Sequence, residues 1–309
     1  MDSKTLGFLL KRLLLALLTV FLVITITFFA MHAIPGGPFN SEKAITPEAK
    51  AALMEKYGLD KPVGVQYVNY IKNIFFHLDF GPSLKLKGRE VSDILSEGFQ
   101  VSGKIGLIAA CLAIVVGVTL GTVASINRNK VIDKVIMVFT TACNALPAFI
   151  IGSFFLVIFC VKLNWLPANG TAKGGLVLPI LTLSLYPMAY ITRLTRSSML
   201  DVLGQDYIRT ARAKGVSQKK SIFVHALKNA LIPVITYVGP MLASILTGSL
   251  VVEQIFSIGG LGRQFVQSII NRDYTLIMGT TIFLSVLIVL MNLVSDILYK
   301  IVDPRIKLG

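Results

Sequence analysis

The residues most suggestive of catalysis form part of a phosphate-binding loop. Residues 98–104 read Gly-Phe-Gln-Val-Ser-Gly-Lys and match the first seven positions of the motif that cradles nucleotide phosphates. The eighth position must be Ser or Thr, because its hydroxyl binds Mg²⁺, but here it is Ile105. No strand pattern precedes the segment. We therefore expect no nucleotide site, and we interpret Lys104 as marking the start of an apolar helix.

No other side chains are spaced for catalysis or metal binding. The three histidines are far apart in the sequence, and neither the H-E-x-x-H nor the G-x-S-x-G motif occurs. Cys111, Cys143 and Cys160 all lie within apolar segments, where cysteines behave as small buried hydrophobic residues. We expect a chain that is not an enzyme and that holds no cofactor or metal of its own.

Six uncharged apolar runs dominate the chain. With 54% hydrophobic and 15% charged residues, the composition lies outside the range of soluble globular domains. A membrane-spanning helix needs about 20 apolar residues. The runs occupy residues 13–31, 105–125, 135–161, 174–192, 230–252 and 277–295. The sequence predicts an all-α, polytopic membrane protein with six transmembrane helices.

The basic residues predict the orientation. Both termini and the segments 126–134 and 193–229 together carry seventeen Lys and Arg, whereas the two short segments on the other side, 162–173 and 253–276, carry four. Basic residues favour the cytoplasmic side. We therefore predict that both termini are cytoplasmic and that most of the net charge of +14 reflects topology rather than nucleic-acid binding.

The predicted extracytoplasmic segment 32–104 contains helix signals. Thr46-Pro47-Glu48 is typical of a helix start, and Tyr57-Gly58 of a helix end. Residues 65–78 predict an amphipathic helix whose apolar positions are Val68, Ile71, Phe75 and Leu78. Three roles are open for that helix: it packs as a cap, lies on the membrane, or covers the outer mouth of a pathway.

The basic segment 193–229 is the longest predicted cytoplasmic loop. Residues 206–213 predict a short helix that stops near Gly215, and residues 217–228 predict a second one. Such a segment favours a protein docking surface. Binding to anionic lipid is the alternative.

Prolines in the third to fifth runs indicate a pathway. The carbonyls that they free must be satisfied by protein or by a water-lined cavity. These prolines are Pro147, Pro179, Pro187, Pro233 and Pro240. Polar candidates for the lining are Thr140, Asn144, Tyr186, Tyr237, Ser244 and Thr247. For each of them, hydrogen bonding between helices is the alternative.

Small residues recur at four-residue spacing in two runs. Gly117 and Gly121 form one such pair, and Gly239, Ala243 and Thr247 form the other stripe. Small residues let helices approach closely. The approaching helix belongs either to this chain or to a partner.

Five segments together resemble a transporter family. Residues 207–215 (Tyr-Ile-Arg-Thr-Ala-Arg-Ala-Lys-Gly) and 225–233 (His-Ala-Leu-Lys-Asn-Ala-Leu-Ile-Pro) are similar to the EAA loop of ABC-importer permeases. Residues 252–262 and 271–274, together with Asp-Phe-Gly-Pro-Ser at 79–83, resemble its oligopeptide/dipeptide/nickel branch. The likeness covers essentially the whole chain and is greatest with B-type permease subunits of oligopeptide systems.

This resemblance implies a type I ABC-importer permease fold in a bacterial inner membrane. Such a permease pairs with a homologous second permease, two cytoplasmic ATPases that bind ATP and Mg²⁺, and an extracytoplasmic peptide-binding protein. The chain would form half of a pathway for oligopeptides, with dipeptides or nickel chelates as alternative cargo. The implied domains are a tail and first helix (1–31), an extracytoplasmic domain (32–104), a permease core (98–299) containing the coupling loop 193–229, and a tail (300–309).

Two sites follow from the resemblance. The predicted ATPase-coupling residues are Asp206, Arg209, Thr210, Ala211, Arg212 and Gly215. Arg209 and Thr210 stand where the EAA consensus has Glu and Ala, whereas the small residues Ala211 and Gly215 permit close approach. The second site is a partly re-entrant outer gate over residues 253–262, to which we assign Glu253, Gly259 and Gly260. An ordinary surface connection is the alternative there.

Two other function classes are less consistent with the sequence. An ion-coupled secondary transporter normally carries ionisable residues inside its spans, and no Asp, Glu, Lys, Arg or His occurs within the six runs. A nucleic-acid-binding or scaffold protein would use the basic loops in binding that weakens steeply with salt.

Overall fold

A computed structural model describes residues 3–35, 37–39 and 46–302, without the side chains of residues 3–6, 8, 9, 47, 49, 50, 247–249 and 298–302. In these ranges the chain is helical and has no strand beyond an isolated bridge between Pro82 and Glu90. The helices are α1 (Ser3–Ala33), α2 (Pro47–Lys56), α3 (Val63–Lys72), α4 (Val91–Ile126), α5 (Val131–Ala145), α6 (Ala148–Phe155), α7 (Val177–Leu203), α8 (Asp206–Ala213), α9 (Gln218–Lys220), α10 (Leu227–Ala230), α11 (Ile232–Ile255), α12 (Leu261–Asn271) and α13 (Tyr274–Val302). Wider π-helical turns extend α3 (Asn73–His77) and α6 (Leu156–Lys162) and join α9 to α10 (Ser221–Ala226).

The first of two compact units comprises Met1–Val101 and Gly259–Leu287. Its main apolar core joins α1, the π-helical turn after α3, and α13 through Ile24, Phe28, Ile74, Met278 and Ile282, all at most 6% exposed. A second core in the same unit packs α4 against α12 and α13, and its buried members are Val91, Ile94, Leu95, Leu261 and Leu276. These cores hold the long segment between α1 and α4 against α12 and the first half of α13.

The second unit comprises Ser102–Ile258 and Ile288–Gly309. Its core joins α4, α7 and α11, where α4 comes very close to α7 at two glycines. A Cβ added to Gly121 would lie 2.6 Å from the carbonyl oxygen of Thr192, and one added to Gly117 would lie 2.8 Å from Ile191 Cγ2. On α11, a Cβ on Gly239 would lie 2.3 Å from that of Ser295. The small residues at these positions therefore allow helices of this chain itself to pack.

The predicted third transmembrane run is broken rather than straight. Five described helices are long and apolar enough to cross a membrane, and α5 with the α6 helix forms a sixth candidate bent by 103°. The break lies at Leu146, whose extended backbone (φ −92°, ψ 127°) is the conformation favoured before proline. Residues 135–161 are thus two helices that meet at Pro147.

Four of the five prolines in the third to fifth runs do not separate two helices. Pro179 and Pro233 lie in the first turns of α7 and α11, where a missing N–H costs no helical hydrogen bond. Pro187 and Pro240 lie inside these two continuous helices. Only Pro147 separates two helices.

The loop predictions are confirmed in outline and corrected in extent. Helix α2 begins and ends where the sequence indicates, and α8 covers residues 206–213 as predicted. However, α7 continues to Leu203, so the loop expected from residue 193 begins with helix. Helix α4 likewise begins at Val91, well before Lys104. Residues 98–104 are helical, and a helix cannot cradle a phosphate as a glycine-rich loop does.

Candidate functional site

The short helix α8 is held to its own unit by one buried side chain. Ile208 is 1% exposed and packs in a cluster with Met199, Ile222, Ala226 and Ala230. A hydrogen bond of 2.7 Å from Asn229 Nδ2 to the Tyr207 hydroxyl adds a second attachment. Helix α8 is therefore fixed to α7 and to the helical segment that leads into α11.

The predicted coupling residues on α8 are mostly exposed. Asp206, Arg209, Thr210 and Arg212 are exposed, and Ala211 is half-buried. Arg209 Nη1 lies 3.6 Å from Asp206 Oδ1, but both side chains are more than two-thirds exposed, so this ion pair adds little stability. The helix thus presents a polar surface of mixed charge that is anchored from behind.

Gly215 has a different structural role from the one its small size suggested. Its φ is +83°, a left-handed conformation that favours glycine, and nothing lies within 4 Å of a Cβ built on it. Its N–H donates to the Arg212 carbonyl at 2.9 Å, and the Val216 N–H donates to the Ala211 carbonyl at 3.2 Å. Glycine is required here because the chain turns sharply after α8.

An ion pair that the sequence analysis missed joins α5 to α7. Arg196 Nε and Nη2 donate to Asp133 Oδ1 and Oδ2 at 2.6 and 2.7 Å, and the Asn129 N–H donates to Oδ2 at 2.9 Å. The Asp133 side chain is 4% exposed and that of Arg196 is 23% exposed. The sequence indicated only that Arg196 is one of the basic residues of segment 193–229. Asp133, the one acidic residue in segment 126–134, was the available signal.

Three predicted pathway residues line one cavity in the second unit. Tyr186, Tyr237 and Ser244 border a space of about 150 Å³ between α7 and α11, with Ala148 at the start of α6. The rings of Tyr190 and Tyr237 lie 4.3 Å apart beside it. None of the described residues that line this cavity is charged. The structure therefore brings these predicted residues together.

The remaining pathway candidates lie elsewhere. The amide atoms of Asn144, near the end of α5, are buried without a hydrogen-bond partner in the described part of the chain. The Thr140 hydroxyl donates to the Met137 carbonyl of its own helix at 3.0 Å. The side chain of Thr247 lies outside the described residues.

The predicted re-entrant gate, residues 253–262, is helical at both ends and irregular in the middle. Glu253 belongs to α11, is 1% exposed, and accepts a hydrogen bond of 2.6 Å from the Ser102 hydroxyl on α4. The irregular backbone is limited to residues 256–260, where Gly259 is exposed and Gly260 is buried as the N-cap of α12. We had placed Glu253 in the connection, but it is a buried helix contact.

Two segments that carry the family resemblance, 79–83 and 271–274, meet in the first unit at one buried carboxylate. Asp273, 1% exposed, accepts a hydrogen bond from the Ser83 hydroxyl and one of 3.1 Å from the Leu84 N–H. It also caps α13 by accepting from the Leu276 N–H at 3.2 Å. The family resemblance identifies both segments, but the sequence does not predict that they touch. No group of three or more potential metal ligands occurs in the described residues.

Comparison with known proteins decides the family. The model for the inner-membrane component of binding-protein-dependent transport systems matches residues 113–308, and the model for the N-terminal region of such components matches residues 5–87. The chain belongs to this family. As a permease of this kind, it is a multi-pass inner-membrane protein and a non-catalytic subunit, whose systems also contain ATPase and binding-protein components.

Relatives resemble the permease over nearly its full length. The oligopeptide transport system permease protein OppB of Haemophilus influenzae is 44% identical, over 98% of this chain and 99% of the relative. The dipeptide transport system permease protein DppB of Bacillus subtilis is 45% identical, over 97% and 98% of the two chains. The predicted resemblance to B-type permeases is thus confirmed.

Solved structures confirm the fold of the permease. The MetNI methionine ABC transporter in an inward-facing conformation matches with a TM-score of 0.59 and 18% identity, over 69% of this chain and 97% of that chain. An amino acid ABC transporter matches with a TM-score of 0.51 and 16% identity, over 70% and 95% of the two chains. At such identities the likeness concerns the fold alone, which is that of type I ABC-importer permeases.

Proposed function

We propose that this permease forms half of the translocation pathway of an ATP-driven peptide importer. The observation that carries the proposal is the exposed polar face of α8, fixed from behind by Ile208. Peptide cargo is supported by the near-full-length similarity to oligopeptide and dipeptide permeases. An extracytoplasmic binding protein delivers the peptide, and a homologous permease supplies the other half of the pathway.

Helix α8 couples the permease to a partner ATPase. Two such ATPases bind ATP and Mg²⁺, and this chain needs no cofactor of its own. Their closure can bias the permease only through contacts that differ between two states. Because Ile208 packs on Met199 of α7 and on Ala226 and Ala230 next to α11, a displacement of α8 moves the two helices that border the cavity.

The cavity between α7 and α11 belongs to the peptide pathway. Its polar groups are the hydroxyls of Tyr186, Tyr237 and Ser244 together with that of Thr182. Hydroxyls both donate and accept hydrogen bonds, which suits a peptide backbone. Because the lining is uncharged, it does not favour peptides whose side chains carry one charge over peptides whose side chains carry the other. Thr247, Asn144 and the connection containing Gly259 and Gly260 complete the proposed path.

The proposed orientation places both termini, α8 and segment 126–134 in the cytoplasm. The bias of basic residues supports this orientation. The domain limits of 1–31, 32–104, 98–299 and 300–309 remain part of the proposal, and the last tail lies outside the described residues from position 303 onward.

Charge reversal on α8 tests the coupling role. In the assembled complex, we expect Arg209→Glu combined with Arg212→Glu to reduce both the ATPase that co-purifies and peptide-stimulated ATP hydrolysis. Lys219→Glu is the matched control, because Lys219 is equally exposed in the same loop but lies outside α8. Equal losses in both variants, or none in the double variant, would contradict docking at α8.

A second experiment tests the cargo. Because the oligopeptide and dipeptide relatives are 44% and 45% identical, identity does not separate peptide length. The complex in proteoliposomes should take up a labelled pentapeptide when ATP is supplied. Unlabelled peptides of two to eight residues would then compete according to length. If neither oligopeptides nor dipeptides are taken up, the peptide assignment is refuted. This result would leave the α8 contact untested and therefore separate from the cargo.

A further inference from the structure

Helix α3 and its π-helical turn lie beside the membrane-spanning part of α1 rather than above it. The Tyr67 hydroxyl is 2.7 Å from that of Thr25, and Ile74 packs in the cluster that contains Ile24. Thr25 lies six residues inside the apolar run 13–31, which corresponds to about 9 Å along a helix. On α13, Ile74 shares its cluster with Ile282, about 7.5 Å inside the run 277–295. Both neighbours place this segment at membrane depth.

One face of the segment is packed. Tyr67, Tyr70 and Ile71 are partly buried, and Ile74 is 6% exposed, in the cluster that joins α1 and α13. This face differs from the one expected from the sequence. Of the four predicted apolar positions only Ile71 packs, whereas Val68, Phe75 and Leu78 are 49%, 48% and 77% exposed.

A second face is polar and lines a cavity. Gln66, Asn69 and Asn73 border a space of about 450 Å³, together with the charged residues Asp79 and Lys61. Charged and amide side chains around a space of this size indicate that it holds water. This side of the segment is therefore the aqueous one.

The third face is apolar and has no partner in the described chain. At helical spacing, the packed face separates Val68, Phe75 and Phe76 on one side from the amide side chains on the other. Phe76 is 79% exposed. The surface continues onto α1, where Phe29 is 46% exposed and its ring lies 5.2 Å from that of Tyr67. The exposed surface of a spanning helix at this depth meets lipid.

We propose that α3 and its π-helical turn form an interfacial helix inserted into the leaflet around the carboxyl-terminal half of α1. Val68, Phe75 and Phe76 contact acyl chains, while the amides of Asn69 and Asn73 face the water-filled cavity. Insertion of amphipathic helices by about 5–10 Å is typical of interfacial helices and agrees with the depth of the Thr25 contact. Lys72, exposed at helical spacing between Val68 and Phe76, extends its ammonium to the headgroups.

The inference selects one of the three roles that the sequence left open. A helix that covered the outer mouth would direct its exposed apolar face at protein. A helix that packed as a cap would have no exposed apolar face. A segment embedded in lipid instead holds the cavity at a constant level relative to the membrane surface. The proposal does not depend on the cargo or on ATPase coupling.

Nitroxide spin labels on the full complex in lipid bilayers test it. Phe76→Cys reports the proposed lipid face and Asn73→Cys the water face, in a complex whose other cysteines, including the exposed Cys111, have been replaced. Collisions with oxygen, which concentrates in lipid, are compared with collisions with chromium oxalate, which stays in water. We expect oxygen to dominate at position 76 and chromium oxalate at position 73.

Three results would overturn the proposal. Preference for chromium oxalate at position 76 would place that face in water, and protection from both reagents would show that a protein partner covers it. Val68→Cys provides a second reporter on the same face if the label at 76 prevents assembly. An equal ratio of oxygen to chromium oxalate collisions at positions 73 and 76 would also contradict the assignment of one face to lipid and the other to water.

Discussion

The Ser102 hydroxyl on α4 donates a hydrogen bond of 2.6 Å to Oε1 of Glu253 on α11, and both residues are about 1% exposed. Glu253 lies directly after the apolar run 230–252. A carboxylate so deeply buried is costly unless polar groups satisfy it. The contact therefore ties the end of α11 to an interior position of α4.

We expect Glu253→Ala to destabilise the complex by about 1–3 kcal/mol, because the Ser102 hydroxyl loses this buried acceptor. Glu253→Gln should cost less, since its amide oxygen can still accept. Thermal unfolding of the solubilised complex measures both variants. Gln254→Ala, at the exposed neighbouring position, is the control and should change little. A loss for Gln254→Ala as large as that for Glu253→Ala would contradict the importance of the contact.

Substitution of Gly215 should impair coupling through the backbone. Its φ of +83° makes a residue with a Cβ unfavourable by about 1–2 kcal/mol. Gly215→Val should therefore displace the end of α8 and lower peptide-stimulated ATP hydrolysis, whereas Gly215→Asn should be milder because asparagine tolerates this conformation. Gly204→Ala is the control, since Gly204 has a φ of −78°. If Gly215→Val leaves peptide-stimulated ATP hydrolysis unchanged, the turn at Gly215 has no role in coupling.

The Asp133–Arg196 pair should show a measurable coupling free energy. Alanine at each position alone leaves a partly buried charge without its partner, so the double variant should lose less stability than the sum of the single variants. We expect a coupling of roughly 0.5–3 kcal/mol in a double-mutant cycle read by thermal unfolding. The exposed Arg89–Glu97 pair, 2.7 Å apart, is the control and should give a smaller coupling. Additive losses at 133 and 196 would disprove the linkage.

Cysteine labelling should distinguish pathway from packing in the cavity between α7 and α11. Tyr237→Cys and Ser244→Cys should react with a small aqueous thiol reagent at rates that change when ATP and peptide are added. Val115→Cys is the control, because Val115 is 65% exposed on an apolar part of α4 where a thiol ionises poorly. Equal, low reactivity at all three positions in every state would assign the cavity to packing.

Much of the helical architecture could be predicted because its signals are local. The apolar runs, the start of α2 at Pro47 and the end of α8 before Gly215 each depend on a few neighbouring residues. Proline was less informative. The sequence alone did not distinguish Pro147, which separates two helices, from Pro187, which lies inside one. That difference depends on what satisfies the freed carbonyl, which is a property of the neighbouring helices.

The candidate sites were predicted in part. Tyr186, Tyr237 and Ser244 do share one cavity, because their helices pack side by side. Sequence reasoning did not find the Ser83–Asp273 and Asp133–Arg196 contacts, whose partners are 190 and 63 residues apart. It also did not distinguish the packed face after Val63 from the exposed one, since Val68 and Ile71 have equally apolar side chains but only one of them meets α1 and α13.

The sequence by itself determined the family, the membrane-spanning class and the limits of helix α8, because hydrophobic length and short motifs are properties of contiguous segments. Only the tertiary structure decided how these segments are used. It showed that Glu253 is a buried helix contact, that Gly117 and Gly121 serve packing within this chain, and that Phe76 remains on an uncovered surface. Burial and hydrogen-bond partners depend on distant residues brought together by packing, and no local pattern specifies them.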